Sequence, residues 1–115
     1  MKKSHKKIDN TLRAALTKVC EIALENVAGF KWLTHLADYD NFPRSLKIIC
    51  VFDTQKNQTL AEQQGRDAYL CELIKRELLK ENIKLPDVNR QVKFDSEERC
   101  ANQHGGDWSQ RLRNG

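Results

Sequence analysis

An α+β domain, or a small α/β sandwich, is the fold this sequence predicts: two main helices on a three-stranded mixed sheet, with a short carboxy-terminal helix. Three observations predict it. Apolar residues recur at helical spacing from Ile8 to Val27, the run from Ser45 to Asp53 is apolar on both faces of a strand, and a second helical stretch precedes alternation at Val92 and Phe94. The order is helix, strand, strand, helix, strand.

In the first helix Ile8, Leu12, Leu16, Val19, Cys20, Ala23 and Val27 form one stripe, with Lys18, Glu21 and Glu25 opposite. Asp9 or Asn10 is placed to cap its start, and Gly29 to end it in a left-handed conformation. Phe30 to Leu36 is read as a strand because Trp32, Thr34 and Leu36 favour extended backbone. Asn41 and Pro43 then supply turn chemistry. Ser45 to Asp53 is the firmest strand: Leu46, Ile48, Cys50 and Phe52 make one face while Ile49 and Val51 make the other apolar, as in a strand covered on both sides.

Thr59 and Glu62 have capping-box spacing and predict a helix over 60–82. Its inward stripe is Leu60, Ala68, Cys71, Ile74, Leu78 and Leu79, with Gly65 a local weakness. Tyr69, Leu70 and Leu73 fall on the other side, which implies cover by another element of the domain or by a partner, a second copy included. The last strand runs Gln91–Asp95. Asp95 and Glu98 form a plausible capping pair for a helix near 96–104, which Gly105 ends.

The 115 residues, 39% hydrophobic and 31% charged, suit one soluble domain over 8–112, between a basic segment at 1–7 and a tail at 113–115. No apolar run approaches the roughly 20 residues needed to span a bilayer, and no apolar core of a signal peptide follows the basic start. Cys20, Cys50, Cys71 and Cys100 include no CxxC pair, so the expectation is reduced thiols in the cytoplasm rather than a zinc ribbon or a disulfide framework.

Net charge is +4, but Lys2, Lys3, Lys6, Lys7, Arg111 and Arg113 lie near the termini, and without them the other basic residues do not outnumber the 16 carboxylates. Such termini attract phosphate weakly and with strong salt dependence. A specific DNA reader instead carries its charge on a rigid face.

The stretch DSEERCANQHGGDWSQRL at 95–112 concentrates reactive residue types. Cys100 and His104 are four apart on one helix face, a spacing used by metal ligands, yet a closed zinc site needs four ligands. Packing of the thiol, with the histidine at a helix carboxy terminus, is the competing reading. HGGDW lacks the lysine and hydroxyl of a phosphate loop. Trp108 is expected to anchor the tail to the sheet or to a helix, its alternative being a stacking or partner contact.

A catalytic alternative joins two strand ends. If the strands at 45–53 and 91–95 are parallel and linked by the helix, Asp53 and Asp95 emerge at one edge, where with Glu97 or Glu98 they can hold Mg²⁺ or Mn²⁺ for nuclease-like or phosphoryl-transfer chemistry. Capping of the following turns is the competing role. No GxSxG or comparable nucleophile motif is present.

The segments KKIDNTLRAALTKVCEIAL, GFKWLTHL, NFPRSLKIICVFDT and HGGDWSQRL resemble a small family of uncharacterised bacterial proteins of about this length, over essentially the whole chain. Its members are sometimes labelled Fis-family transcriptional regulators, which implies a transcription-related role. A true Fis protein is a helical dimer ending in a helix-turn-helix. This chain departs from that pattern in its predicted last strand and its HGGDW, so no DNA-contacting residue carries over. The expected function is that of a non-catalytic accessory or regulatory protein, acting through a protein partner or weak nucleic-acid contact, with Lys2, Lys3, Lys6, Lys7, Tyr69, Leu73, Trp108 and Arg111 as candidate contacts and no membrane association. The alternative is the metal-dependent enzyme using Asp53, Asp95 and Glu98.

Overall fold

The apolar run after Ser45 occupies the middle of the molecule. In the computed structural model, which describes residues 3–114, the chain orders as helix α1 (Lys3–Asn26), strand β1 (Phe30–Leu36), a 3₁₀ turn (Tyr39–Asn41), strand β2 (Lys47–Phe52), helices α2 (Gln55–Gln63), α3 (Arg66–Leu79) and α4 (Val88–Gln91), strand β3 (Val92–Ser96), and helices α5 (Glu97–His104) and α6 (Trp108–Asn114). The sheet order is β1-β2-β3. β1 runs antiparallel to β2, and β3 runs parallel to it. The α+β class and the mixed three-stranded sheet are therefore as the sequence predicts, with β2 central.

One face of β2 carries Ile48, Cys50 and Phe52 into a core shared with Leu12, Leu16, Val19 and Ala23 of α1 and Leu70, Leu73, Ile74 and Leu78 of α3. Ile49 and Val51, on the other face, are also buried. No described helix is long and apolar enough to cross a membrane.

α1 begins at Lys3 rather than near Ile8, so the basic residues of 3–7 are helical; Met1, Lys2 and Gly115 lie outside the described residues. Asp9 is inside the helix and does not cap it. Its carboxylate accepts from the Tyr39 hydroxyl and from Arg13 Nε at 2.7 Å, and lies 3.4 Å from His35 Nε2. An acidic residue that looks like a cap in sequence thus ties α1 to β1 and to the 3₁₀ turn. Gly29 does end the α1 segment with φ of 85°. A Cβ there would lie 2.7 Å from that of Asn57, so both conformation and space call for glycine.

The helix expected over 60–82 is two helices. Thr54, not Thr59, is the amino-terminal cap, accepting from Asn57 N at 3.1 Å, and Gly65 at φ 75° separates α2 from α3. The break rotates the buried side. Leu70 and Leu73 face the core, while Leu60 and Leu79 are 44% and 54% exposed, Ala68 is exposed and Cys71 half-buried. A single continuous helix would have kept Leu60 and Leu79 on the stripe; a left-handed residue between the two segments removes that constraint.

Gln91 belongs to the turn of α4 and not to β3. It is 5% exposed, donates Nε2 to the carbonyls of Pro43 at 2.8 Å and Leu46 at 3.0 Å, and accepts from Asp87 N at 2.9 Å. This one amide joins the start of β3 to the loop entering β2. Gln91→Ala withdraws the amide from the buried Leu46 carbonyl and the acceptor from Asp87 N, and is expected to cost about 2 kcal/mol, read from the denaturant midpoint at unchanged m-value.

Candidate functional site

β2 and β3 are parallel with Val51 opposite Asp95 and Phe52 opposite Ser96, so Asp53 and Asp95 do emerge at the same carboxyl edge. Two helices, α2 and α5, begin immediately beyond that edge, and each exposes unpaired N–H groups at its first turn. The local carboxylates meet that demand. Asp53 Oδ1 accepts from Thr54 N at 2.6 Å and from Asn57 Nδ2 at 2.9 Å. Glu98, at the start of α5, accepts from Gln55 N at 2.9 Å while its own N–H donates to the Asp53 carbonyl at 3.2 Å. The two helix starts are stitched together across the sheet edge.

Asp95 is not the cap of α5. That role falls to Ser96, whose hydroxyl accepts from Arg99 N at 3.1 Å. Asp95 instead receives a two-pronged contact from Arg111, Nε to Oδ2 at 2.5 Å and Nη2 to Oδ1 at 2.8 Å. The remaining Arg111 nitrogen reaches Gln103 Oε1 at 2.7 Å and His104 Nδ1 at 3.2 Å. The side chains of the pair are only 12% and 15% exposed. Arg111, expected as a terminal cation for phosphate, is a clamp that holds α6 against the sheet.

Among the described residues no three His, Cys, Asp or Glu side chains converge as metal ligands. Asp53, Asp95 and Glu98 are near in the fold but engaged with separate partners. Cys100 and His104 diverge in role: the thiol is fully buried and the imidazole faces Arg111. All four cysteines are free thiols, and burial pushes each above its ordinary titration range, that of Cys50 most strongly. Such thiols stay protonated and are poor nucleophiles.

Trp108 docks on the sheet as expected, edge-on to Trp32 with centroids 4.8 Å apart. Tyr69 is half-buried and Leu73 is 1% exposed, so of the two expected covers for this helix side the domain itself supplies the one over Leu70 and Leu73. Lys6 and Lys7 are exposed on α1.

The second sheet face has three rungs, set by strand register: Trp32–Val51–Asp95, Thr34–Ile49–Lys93, and Leu36–Lys47. Trp108 and Arg111 cover the first. Beyond them lies a cleft of about 330 Å³ whose lining includes Leu36, Lys47, Ile49, Lys93, Arg111 and Leu112. Leu36 is 39% exposed, both lysines are exposed, and neither lysine has an ion-pair partner among the described residues. Asp95, the carboxylate of the cleft, is already neutralised by Arg111. The cleft therefore combines an apolar floor with net positive charge. Sequence reasoning passed over Lys47 and Lys93; the available signal was that Lys47 opens the apolar run of β2 in phase with Ile49 and Val51, and that Lys93 alternates with Val92 and Phe94, which places both on the second face.

Fold and site together define a small mixed-sheet α+β protein with one helix-covered face and one half-open basic face. No protein-family model, curated protein or solved structure matches the chain.

Two expected outcomes test the site's construction. Arg111→Met leaves Asp95 mostly buried and unpaired, so it should destabilise by about 3 kcal/mol, measured by chemical unfolding, and increase proteolysis of the carboxy-terminal helices before global unfolding. The carboxyl of Asp53 is held below its usual range chiefly by the Asn57 amide, and that of Asp9 chiefly by the Tyr39 hydroxyl. Their contribution is present above about pH 4 and is lost as pH falls through the lowered folded values. Melting temperature followed from neutral to acidic pH should drop below that point, and an Asp9→Asn, Asp53→Asn variant should show a shallower drop.

Proposed function

We propose that this protein is a non-catalytic accessory or regulatory protein that works by binding a protein partner on the half-open sheet face. The observation that carries the reading is the cleft itself: two lysines without an ion-pair partner among the described residues, above exposed and half-buried leucines, on the sheet. Exposed apolar surface rimmed by charge is the usual composition of a protein-binding patch. The strand-end carboxylates argue against the metal-dependent alternative, since their oxygens already accept helix amides and a guanidinium.

A nucleic-acid role has less support. Lys6 and Lys7 add positive charge on α1, but a duplex reader needs a continuous basic face, and the two tryptophans that can stack on bases pack against one another. The sequence resemblance implies a transcription-related setting for the regulation.

The reading is tested by titrating Mg²⁺ and Mn²⁺ against melting temperature, beside an Asp53→Asn, Asp95→Asn variant. No saturable stabilisation is expected; a metal-dependent rise lost in the variant returns the enzyme reading.

A further inference from the structure

We infer that the segment occupying the cleft is an extended, acidic and apolar stretch of the partner protein, carrying Asp or Glu next to a large aliphatic or aromatic side chain. The inference rests on the binding reading above. It follows from what the cleft lacks. Lys47 and Lys93 lie on neighbouring strands, opposite Leu36 and Ile49 respectively, and among the described residues no carboxylate pairs with them. The carboxylate that does line the cleft, Asp95, is bound through both oxygens by Arg111. An occupant must therefore bring the anions itself. It must also bring apolar surface, because Leu36 and Leu112 flank the lysines and remain partly in water.

Other occupants fit less well. A symmetric second copy would bring Lys47 and Lys93 against the same two lysines, since a twofold contact apposes one patch with itself. Like charges so apposed oppose association. A small molecule is typically enclosed over most of its surface, whereas this cleft is bounded on one side by exposed Leu36 and Lys47. A nucleic-acid strand would find phosphate partners in the lysines but no free aromatic face for its bases. An extended peptide can lie over the leucines and answer both lysines.

Selection of a displayed library of short random peptides on the intact protein, followed by binding of the synthesised winners, tests the assignment. Winners should be enriched in Asp or Glu adjacent to Leu, Ile, Val, Phe or Met. Their affinity should fall at least roughly tenfold in a Lys47→Glu, Lys93→Glu variant, persist in Lys47→Arg, Lys93→Arg, and weaken with added salt. Amide shifts on binding should map to Leu36, Lys47, Ile49, Lys93 and Leu112. Both lysines are exposed, so unchanged melting temperature certifies the folded state of the variants. Winners without acidic enrichment that still map to the cleft overturn the inference and leave the binding reading standing. No selectable peptide, or winners that map elsewhere, overturns both. Tighter binding of a short DNA duplex than of any peptide, lost in the charge-reversed variant, reassigns the cleft to nucleic acid.

Discussion

Burial of β2 on both faces is the constraint around which the rest of the chain is arranged. Ile48, Cys50 and Phe52 point one way and Ile49 and Val51 the other, and all five are buried. Each such side chain contributes about 1.5–3 kcal/mol when withdrawn from water, so neither face can be left bare. The long α1 and the α2–α3 pair cover the first face. Among the described residues the second receives α5 and α6, two short helices. They cover the rung of Trp32, Val51 and Asp95 and stop short of the rung of Leu36 and Lys47. The half-open face thus follows from the short reach of α5 and α6 over the sheet, and its lysines make that end of the sheet tolerable in water.

The attachment of α6 is electrostatic as much as apolar. Trp108 supplies area against Trp32, but a single aromatic contact permits rotation about the sheet. The two-pronged Asp95–Arg111 contact fixes orientation, since the planar guanidinium and the carboxylate have matching geometry. The clamp also reaches α5 through Gln103 and His104, so Arg111 links both helices to β3 and to the wall of the cleft.

The same economy explains the carboxyl edge. Parallel strands that each lead directly into a helix bring two sets of unpaired amides to one place, and acidic residues there lower the energy of the helix starts. Asp53 and Glu98 are used in this way. Residue types that suit magnesium also suit helix amides, and composition alone does not separate the two demands; the partner atoms do.

Much of the architecture was legible from local pattern. The stripe in α1, the two-sided apolarity of KIICVF, the alternation at Val92 and Phe94 and the left-handed role of Gly29 are properties of neighbouring residues, and local spacing encodes them. So was the docking of Trp108, because a large aromatic in the polar stretch GGDWSQ leaves water by packing on a neighbouring element. What pattern missed depended on residues distant in sequence. Asp9 looks like a cap until Tyr39 and His35 arrive beside it. Thr59 has capping-box spacing, yet Thr54 is the cap, and the break at Gly65 turns Leu70 and Leu73 inward. Arg111 looks like a free cation until β3 brings Asp95 beneath it. The sequence by itself determined the element types and the central strand, since those follow from periodicity and burial. Tertiary structure alone decided which charges are consumed and which remain free, because pairing depends on distances between segments that periodicity does not encode.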